Sequence, residues 1–127
     1  MNKTNALKFC EHWLAAWTGN QPEKLIHFYA DEIYYRDPAK QQGIQGKSAL
    51  LHYFRKLLAK YPHWIWQATE VFPTTNGFIL KWQASLSPER TTDSFHGMDI
   101  VVVSEGKITR NEVYFDPAPL LIALLPS

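Results

Sequence analysis

Four β-strand patterns follow one another in the second half of this 127-residue chain, with only short polar segments between them. These patterns, rich in aromatic and β-branched residues, lie at residues 64–72, 78–87, 93–104 and 107–115. Asn76-Gly77 and Glu105-Gly106 suit two-residue hairpin turns, so neighbouring strands are expected to pair antiparallel. Such a meander forms one sheet, and its apolar face needs cover from the rest of the chain.

Three helical patterns in the first half supply that cover. The first and third run over about 4–18 and 47–61, and Pro22 begins a shorter helix that is expected to form a hairpin with the first. A strand over 32–36 and a polar, glycine-containing loop over 39–46 separate the second helix from the third. Helices followed by a strand meander predict an α+β fold with an antiparallel sheet.

Alternation along the strands predicts which side chains share a face of the sheet. Leu80, Trp82 and Asp99 fall on the face that should meet the helices. The opposite face carries His96, whose role stays open, and an apolar row formed by Met98, Ile100 and Val102. Because three helices cover only one face of a sheet, we expect a second copy of the chain to cover this row in a homodimer.

Charge and cysteine content exclude several classes of protein. Thirteen Lys and Arg against twelve Asp and Glu give a formal charge of +1, without the positive excess that binding to nucleic acid requires. No apolar run approaches the roughly 20 residues that span a membrane. The single cysteine, Cys10, forms no internal disulfide, and no secretion signal is evident, so a cytoplasmic location is expected. Without a linker pattern, residues 1–127 are expected to form a single domain.

Metal and cofactor motifs are not evident in the sequence. The five histidines share no metal-ligand spacing, so no metal is expected. Because a glycine-rich phosphate loop and a nucleophile elbow are also not evident, no cofactor is expected.

The order of helix, helix, strand ending in Asp-Pro, helix and four strands resembles the nuclear transport factor 2-like superfamily, which includes SnoaL-like polyketide cyclases and ketosteroid isomerases. The segments that carry the resemblance are WLAAWTGNQPEKLIHFYADEIYYRDP, GIQGKSALLHYF and FHGMDIVVVSEGKITRNEVYFD. It implies a cone-shaped, curved antiparallel sheet wrapped around three N-terminal helices, a cystatin-like α+β barrel that encloses an apolar pocket.

The resemblance also implies roles for two carboxyl groups. It places Asp37, in YRDP, at the general-base position of ketosteroid isomerases and Asp99, in GMDIVVV, at their protonated acid. Trp13 stands where those isomerases have their tyrosine. Val113 stands where many SnoaL-like cyclases have an aspartate, and Asn111 where they often have a histidine. Because the neighbours of Asp99 are apolar, burial should raise its pKa well above the ordinary value.

Aromatic residues make up 14% of the chain, more than an ordinary core requires, which favours an aromatic-lined pocket. Taken singly, each of these side chains is better explained by ordinary core packing. Strand alternation and the resemblance together predict a ligand-binding wall formed by Trp13, Trp17, Tyr35, Tyr53, Phe54, Leu57, Leu80, Trp82, Asn111, Val113 and Phe115.

Two functions follow for a small apolar or aromatic ligand, and the sequence leaves both open. The first is a cofactor-independent isomerase, cyclase or hydratase that uses Asp37 and Asp99 on an apolar carbonyl-bearing or cyclic substrate. The second is a non-catalytic binding or sensing module, or a dimerisation domain whose cavity is vestigial. Because the two share one scaffold, function has to be argued from the site.

Overall fold

The computed structural model describes residues 1–86 and 94–118. Its helices are α1 Lys3–Ala15, α2 Pro22–Leu25 and α3 Lys47–Lys60, with a 3₁₀ turn at Ile26–Phe28. Its strands are β1 Tyr29–Asp37, β2 Lys40–Gln45, β3 Ile65–Thr74, β4 Gly77–Ser85, β5 Phe95–Ser104 and β6 Lys107–Phe115. The predicted loop at 87–92 and the C-terminal apolar segment at 120–125 lie outside the described residues.

The six strands form one curved, unclosed sheet in the order β2-β1-β6-β5-β4-β3, which confirms the α+β cone. Strands β3 to β6 form the predicted antiparallel meander. The prediction of a purely antiparallel sheet is wrong, because β1 pairs in parallel with β6. Turn signals fix only the pairing of consecutive strands, whereas β1 and β6 lie at opposite ends of the chain and meet through the tertiary fold.

The segment predicted as a polar loop is instead strand β2. Asp37 ends β1, and its Oδ1 accepts the backbone N–H groups of Ala39 at 2.8 Å and Lys40 at 2.9 Å, which folds the chain back on itself. β2 lies at the edge of the sheet and none of its side chains is fully buried. An exposed edge strand needs no apolar alternation, so its sequence carries no strand signal.

Two local predictions need correction. The β3–β4 turn is Thr75-Asn76 rather than Asn76-Gly77, because Gly77 already pairs with Val102 within the sheet. A Cβ atom at Gly77 would lie 2.0 Å from the Val101 carbonyl oxygen, so only glycine allows that approach. The predicted helical hairpin is also wrong, since α2 is a single turn that packs mainly against α3.

The core lies between the inner face of the sheet and the helices, with α1 over β3 and α3 over β1. Its largest buried side chains are aromatic: Trp13, Trp82, Tyr29, Tyr35, Phe54 and Phe78. Their rings meet edge to face or tilted, as aromatic pairs prefer. Within the described ranges, none of the helices has the length and apolar character needed to cross a bilayer.

The outer face of the sheet exposes several large apolar side chains. Phe72, Met98 and Tyr114 are 46%, 43% and 44% exposed, whereas Ile100 and Val102 are half-buried within the single chain. Met98 is therefore the exposed member of the predicted apolar row, and Tyr114 is its cross-strand partner on β6. The homodimer through this face stays a prediction.

We expect sedimentation to show a dimer at micromolar concentration and Met98→Glu to shift it to monomer, because a charge in the centre of an apolar interface loses its hydration. Leu7→Glu is the matched control, since Leu7 is 45% exposed but lies on α1. A wild-type chain that sediments as a monomer would contradict the prediction.

Candidate functional site

A cavity of about 400 Å³ lies between the inner sheet face, α1 and α3. This volume is within the range of roughly 300–1,000 Å³ typical of small-molecule sites. The cavity has a mostly apolar wall, with the carboxyl groups of Asp37 and Asp99 both part of it. Because the two strands that carry them, β1 and β5, flank β6, a single cavity can reach both.

Most of the predicted wall residues do line this cavity: Trp13, Trp17, Tyr35, Tyr53, Leu57, Leu80, Trp82, Val113 and Phe115. Two predictions are wrong. Phe54 is fully buried against Trp17 and Tyr35, because it lies one helical position beyond Tyr53 and faces the core. Asn111 is also fully buried, and its carboxamide lies behind Asp99 rather than on the wall.

Four large apolar or aromatic wall residues were not predicted: Leu14, Tyr61, Trp64 and Trp66. Leu14 lies on α1, three residues before Trp17, which follows the end of that helix and shares the apolar stripe of the predicted helix. Trp66 lies on β3 and Trp64 directly before it, so alternation along the strand predicted at 64–72 places both on one face. This spacing is the signal that would have identified them.

The Asp99 carboxyl group is held by two side-chain donors. Trp82 Nε1 donates to Oδ1 at 2.7 Å, and Asn111 Nδ2 donates to Oδ2 at 2.8 Å. Trp82 and Asn111 lie on β4 and β6, the two strands that flank β5. The side chain is therefore clamped across three neighbouring strands at 4% exposure.

Burial raises the pKa of Asp99 from 3.8 to about 7, because the charged form loses its hydration. The hydrogen bonds from Asn111 and Trp82 oppose this rise, and the charge of Asp37 adds to it. The sequence-based expectation of a raised pKa agrees with this result. Near neutral pH, both the protonated and the ionised form of Asp99 are populated.

The hydrogen-bond network continues from Asn111 away from the cavity. Tyr29 Oη donates to Asn111 Oδ1 at 3.1 Å and accepts the indole N–H of Trp13 at 3.1 Å. Trp13 therefore directs its only donor into this network. The chain Trp13–Tyr29–Asn111 fixes the orientation of the amide that binds Asp99, since Asn111 must accept from Tyr29 at its oxygen.

Gly97 provides the space that Trp82 occupies. Gly97 and Trp82 are paired on β5 and β4, and a Cβ atom at Gly97 would lie 2.4 Å from the Trp82 ring. With hydrogen alone at that position, the indole lies flat across β5 and its N–H reaches Asp99 two residues along. Sequence analysis did not identify Gly97 as part of the site.

Asp37 lies in the second polar cluster of the cavity. Its Oδ2 accepts hydrogen bonds from Tyr35 Oη at 2.8 Å and Tyr53 Oη at 2.6 Å, while Oδ1 accepts the two backbone N–H groups of the β1–β2 turn. Burial raises the pKa of both tyrosines, and the adjacent Asp37 carboxylate adds to the rise. Both phenols therefore keep their protons at neutral pH and donate them to Asp37.

The side chains of Cys10 and His96 are not part of the cavity wall. Cys10 is buried on α1, where loss of hydration raises the pKa of its thiol to about 12, so it behaves as a small apolar side chain. His96 is exposed on the outer face, away from Asp99. In residues 1–86 and 94–118, no three His, Cys, Asp or Glu side chains are grouped closely enough to hold a metal ion.

The α+β cone with a wall-mounted carboxyl group is the architecture that the sequence resemblance implied. The model of the SnoaL-like domain family matches residues 10–111 of the chain. The chain therefore belongs to the SnoaL-like family, and the predicted relationship to nuclear transport factor 2-like proteins is confirmed. No functionally curated protein matches it in sequence.

Solved structures show the same fold at low sequence identity. A proposed isomerase of the SnoaL-like family from Agrobacterium tumefaciens is 23% identical, with a TM-score of 0.74 over 89% of this chain and 98% of its own. A proposed polyketide cyclase from Sinorhizobium meliloti is 14% identical, with a TM-score of 0.70 over 90% and 100%. An uncharacterised cystatin-fold protein from Novosphingobium aromaticivorans is 11% identical, with a TM-score of 0.69 over 86% and 97%.

The pKa of Asp99 has a consequence for stability. Between about pH 4 and about pH 7 the folded chain keeps the Asp99 proton while the unfolded chain has lost it, so this site's contribution to the free energy of unfolding falls as pH rises. We expect denaturant titrations to show this fall in the wild type and its absence in Asp99→Asn. Asp31→Asn, at an exposed position of β1, is the control and should keep the wild-type slope. If the free energy of unfolding changes with pH in the same way in the wild type and in Asp99→Asn, the assignment of a raised pKa to Asp99 is contradicted.

Gly97→Ala should displace the Trp82 indole and break its hydrogen bond to Asp99, at a cost of roughly 1–3 kcal/mol for overpacking. Because that bond lowers the pKa of Asp99, its loss should raise the pKa above about 7. The measurement is NMR of the Trp82 indole N–H together with carbon-detected titration of the Asp99 carboxyl group. His96→Ala, at an exposed position of the same strand, should leave both unchanged. An unchanged Trp82 indole N–H signal in Gly97→Ala would show that the hydrogen bond from Trp82 to Asp99 does not require glycine at position 97.

Proposed function

We propose that this protein is a cofactor-independent isomerase, cyclase or hydratase that acts on an apolar, carbonyl-bearing or cyclic small molecule. The observation that carries the proposal is Asp99, a carboxyl group with a pKa of about 7 in the wall of an apolar cavity. A general acid works best when its pKa lies near the pH at which it operates.

The neighbours of Asp99 support its role as a donor to the ligand. Trp82 Nε1 has only a hydrogen to give, and the Asn111 carboxamide presents its N–H to Asp99 because its oxygen is occupied by Tyr29. Neither neighbour can accept the proton of the protonated carboxyl group. A substrate carbonyl oxygen in the cavity would be its acceptor, which would stabilise negative charge developing on that oxygen.

The proton that leaves the substrate would be accepted by Asp37, reached through Tyr53. Asp37 accepts two hydrogen bonds at each of its oxygens, so neither oxygen has a free position for a hydrogen bond from a ligand. Tyr53 Oη can take a proton from the substrate, or from a water molecule in hydration, while its own proton passes over 2.6 Å to Asp37 Oδ2. Tyr53 thus gives one proton to Asp37 and receives another from the substrate or the water, and the negative charge of Asp37 is neutralised.

The relatives provide further support at the level of fold. The Agrobacterium and Sinorhizobium structures are described as an isomerase and a polyketide cyclase, both proposed. An isomerisation or cyclisation next to a carbonyl that passes through an enol or enolate needs an acid near the oxygen and a base near the carbon. Asp99 would supply the acid, and the Tyr53–Asp37 pair would supply the base.

A second candidate function is a binding or sensing module that uses the same cavity without chemistry. The hydrogen bonding of Asp37 favours this second function, because four donors hold that carboxylate in a structural role at the β1–β2 turn. Val113 also favours it, because the resemblance places an aspartate at this position of β6 in many SnoaL-like cyclases. In that function Asp99 would donate a hydrogen bond to the ligand carbonyl and keep its proton.

Exchange of enolisable hydrogens separates the two functions. With 2-tetralone as a bicyclic ketone probe in D2O, we expect the wild type to bind it and to accelerate deuterium incorporation beside the carbonyl, as followed by NMR. Asp99→Asn should lower that rate by about 100-fold or more, and Tyr53→Phe should also lower it. The wild-type rate should fall as pH rises through about 7, because only protonated Asp99 acts as the acid.

His96→Asn, on the outer face, is the matched control and should exchange at the wild-type rate. Binding of the ketone without accelerated exchange would overturn the enzymatic proposal and leave the binding module. A rate that is equal in wild type and Asp99→Asn would likewise remove Asp99 as the acid.

A further inference from the structure

The mouth of the cavity is marked by the exposed members of its wall. These are Ala39, Lys40, Lys56, Lys60 and Pro117, from the β1–β2 turn, the second half of α3 and the chain after β6. Three of the five are lysines. The interior of the cavity is mostly apolar, so its positive charge is concentrated at this rim.

The rim lysines lie close to aromatic rings of the wall. Lys40 Nζ is 5.5 Å from the ring centroid of Tyr53, and Lys60 Nζ is 5.5 Å from that of Tyr61. Lys56 is one helical turn from Lys60 on the same face of α3. The ammonium groups of Lys40 and Lys60 therefore lie beside aromatic rings of the wall, and all three lysines belong to the rim.

These positive charges have no carboxylate partner within 4.0 Å among the described residues, whereas other basic groups do. Arg55, on the same helix, pairs with Glu23 at 3.0 Å, and Lys81 pairs with Glu70 at 3.0 Å. Asp37 lies in the same wall, and its single negative charge is fewer than the three positive charges of the rim lysines. Among the described wall residues, the rim therefore carries an excess of positive charge at the entrance to an apolar cavity.

We infer that the ligand is amphipathic, with an apolar cyclic body inside the cavity and a carboxylate at the end that faces the mouth. The inference rests on the proposed function, since it assumes that the cavity holds a small molecule. A carboxylate placed among Lys40, Lys56 and Lys60 is attracted by three ammonium groups at once, and the apolar wall beside them strengthens that attraction relative to bulk water. The substrate class narrows accordingly to cyclic or aromatic keto acids.

Two probes of equal shape test this inference: 2-naphthylacetic acid and its amide. At about pH 6 the acid is ionised, because an ordinary carboxyl pKa is near 4, and Asp99 is mostly protonated. We expect calorimetry to show the acid binding about tenfold or more tightly than the amide at low salt. Added salt should reduce the difference, since the rim charges are exposed.

The triple variant Lys40→Gln, Lys56→Gln and Lys60→Gln should remove the preference for the acid and leave amide binding unchanged. Lys3→Gln, Lys8→Gln and Lys24→Gln together are the matched control, because they remove the same charge from exposed positions outside the cavity. Unchanged amide binding in the rim variant also reports that the fold and cavity are intact.

Equal affinity of the wild type for acid and amide would overturn the inference and leave the proposed function standing. A preference for the acid that survives the rim substitutions would also overturn it, since the charge would then act from elsewhere. Failure of both probes to bind the wild type would instead overturn the cavity assignment itself, and the inference with it.

Discussion

The clamp on the Asp99 carboxyl group is the interaction on which the rest of the site depends. An ionisable group buried in an aromatic core costs free energy unless it is hydrogen-bonded or protonated, and Asp99 uses both routes. Its two donors come from the flanking strands β4 and β6, so the clamp requires the sheet to be in register. Gly97 is part of the same requirement, because the Trp82 indole reaches Asp99 only across a position without a side chain.

The polar groups of the cavity form two separate clusters with different chemistry. The Asp99 cluster can donate a proton toward a ligand, because its protein neighbours are donors only. The Asp37 cluster offers tyrosine oxygens whose hydrogens already point to a carboxylate. An apolar wall between two such clusters lets a ligand be oriented at both ends, which either acid–base chemistry or selective binding requires.

The sequence identified much of this site correctly, and its errors have physical causes. Strand alternation placed Leu80, Trp82 and Asp99 on the inner face, because a residue's face in a strand follows directly from its position. Phe54 was misplaced because neighbouring positions on a helix differ by about 100° in direction and only one of them meets the cavity. Asn111 has the predicted strand face, but its carboxamide is turned behind Asp99 by a bond to Tyr29, which is distant in sequence.

By itself, the sequence determined the order of the helices and of the strands other than β2, and the sides of β4 and β5 that face the core, while the family was indicated by resemblance. The order and the strand faces depend on local periodicity, turns and short-range pairing. The tertiary structure alone decided the parallel pairing of β1 with β6, the strand character of the exposed β2 and the gathering of lysines at the cavity mouth. The β1–β6 pair and the cavity mouth join segments far apart in the chain, so they depend on long-range packing that no local pattern records. β2 pairs with its neighbour β1, and it carries no strand pattern because it lies at the exposed edge of the sheet.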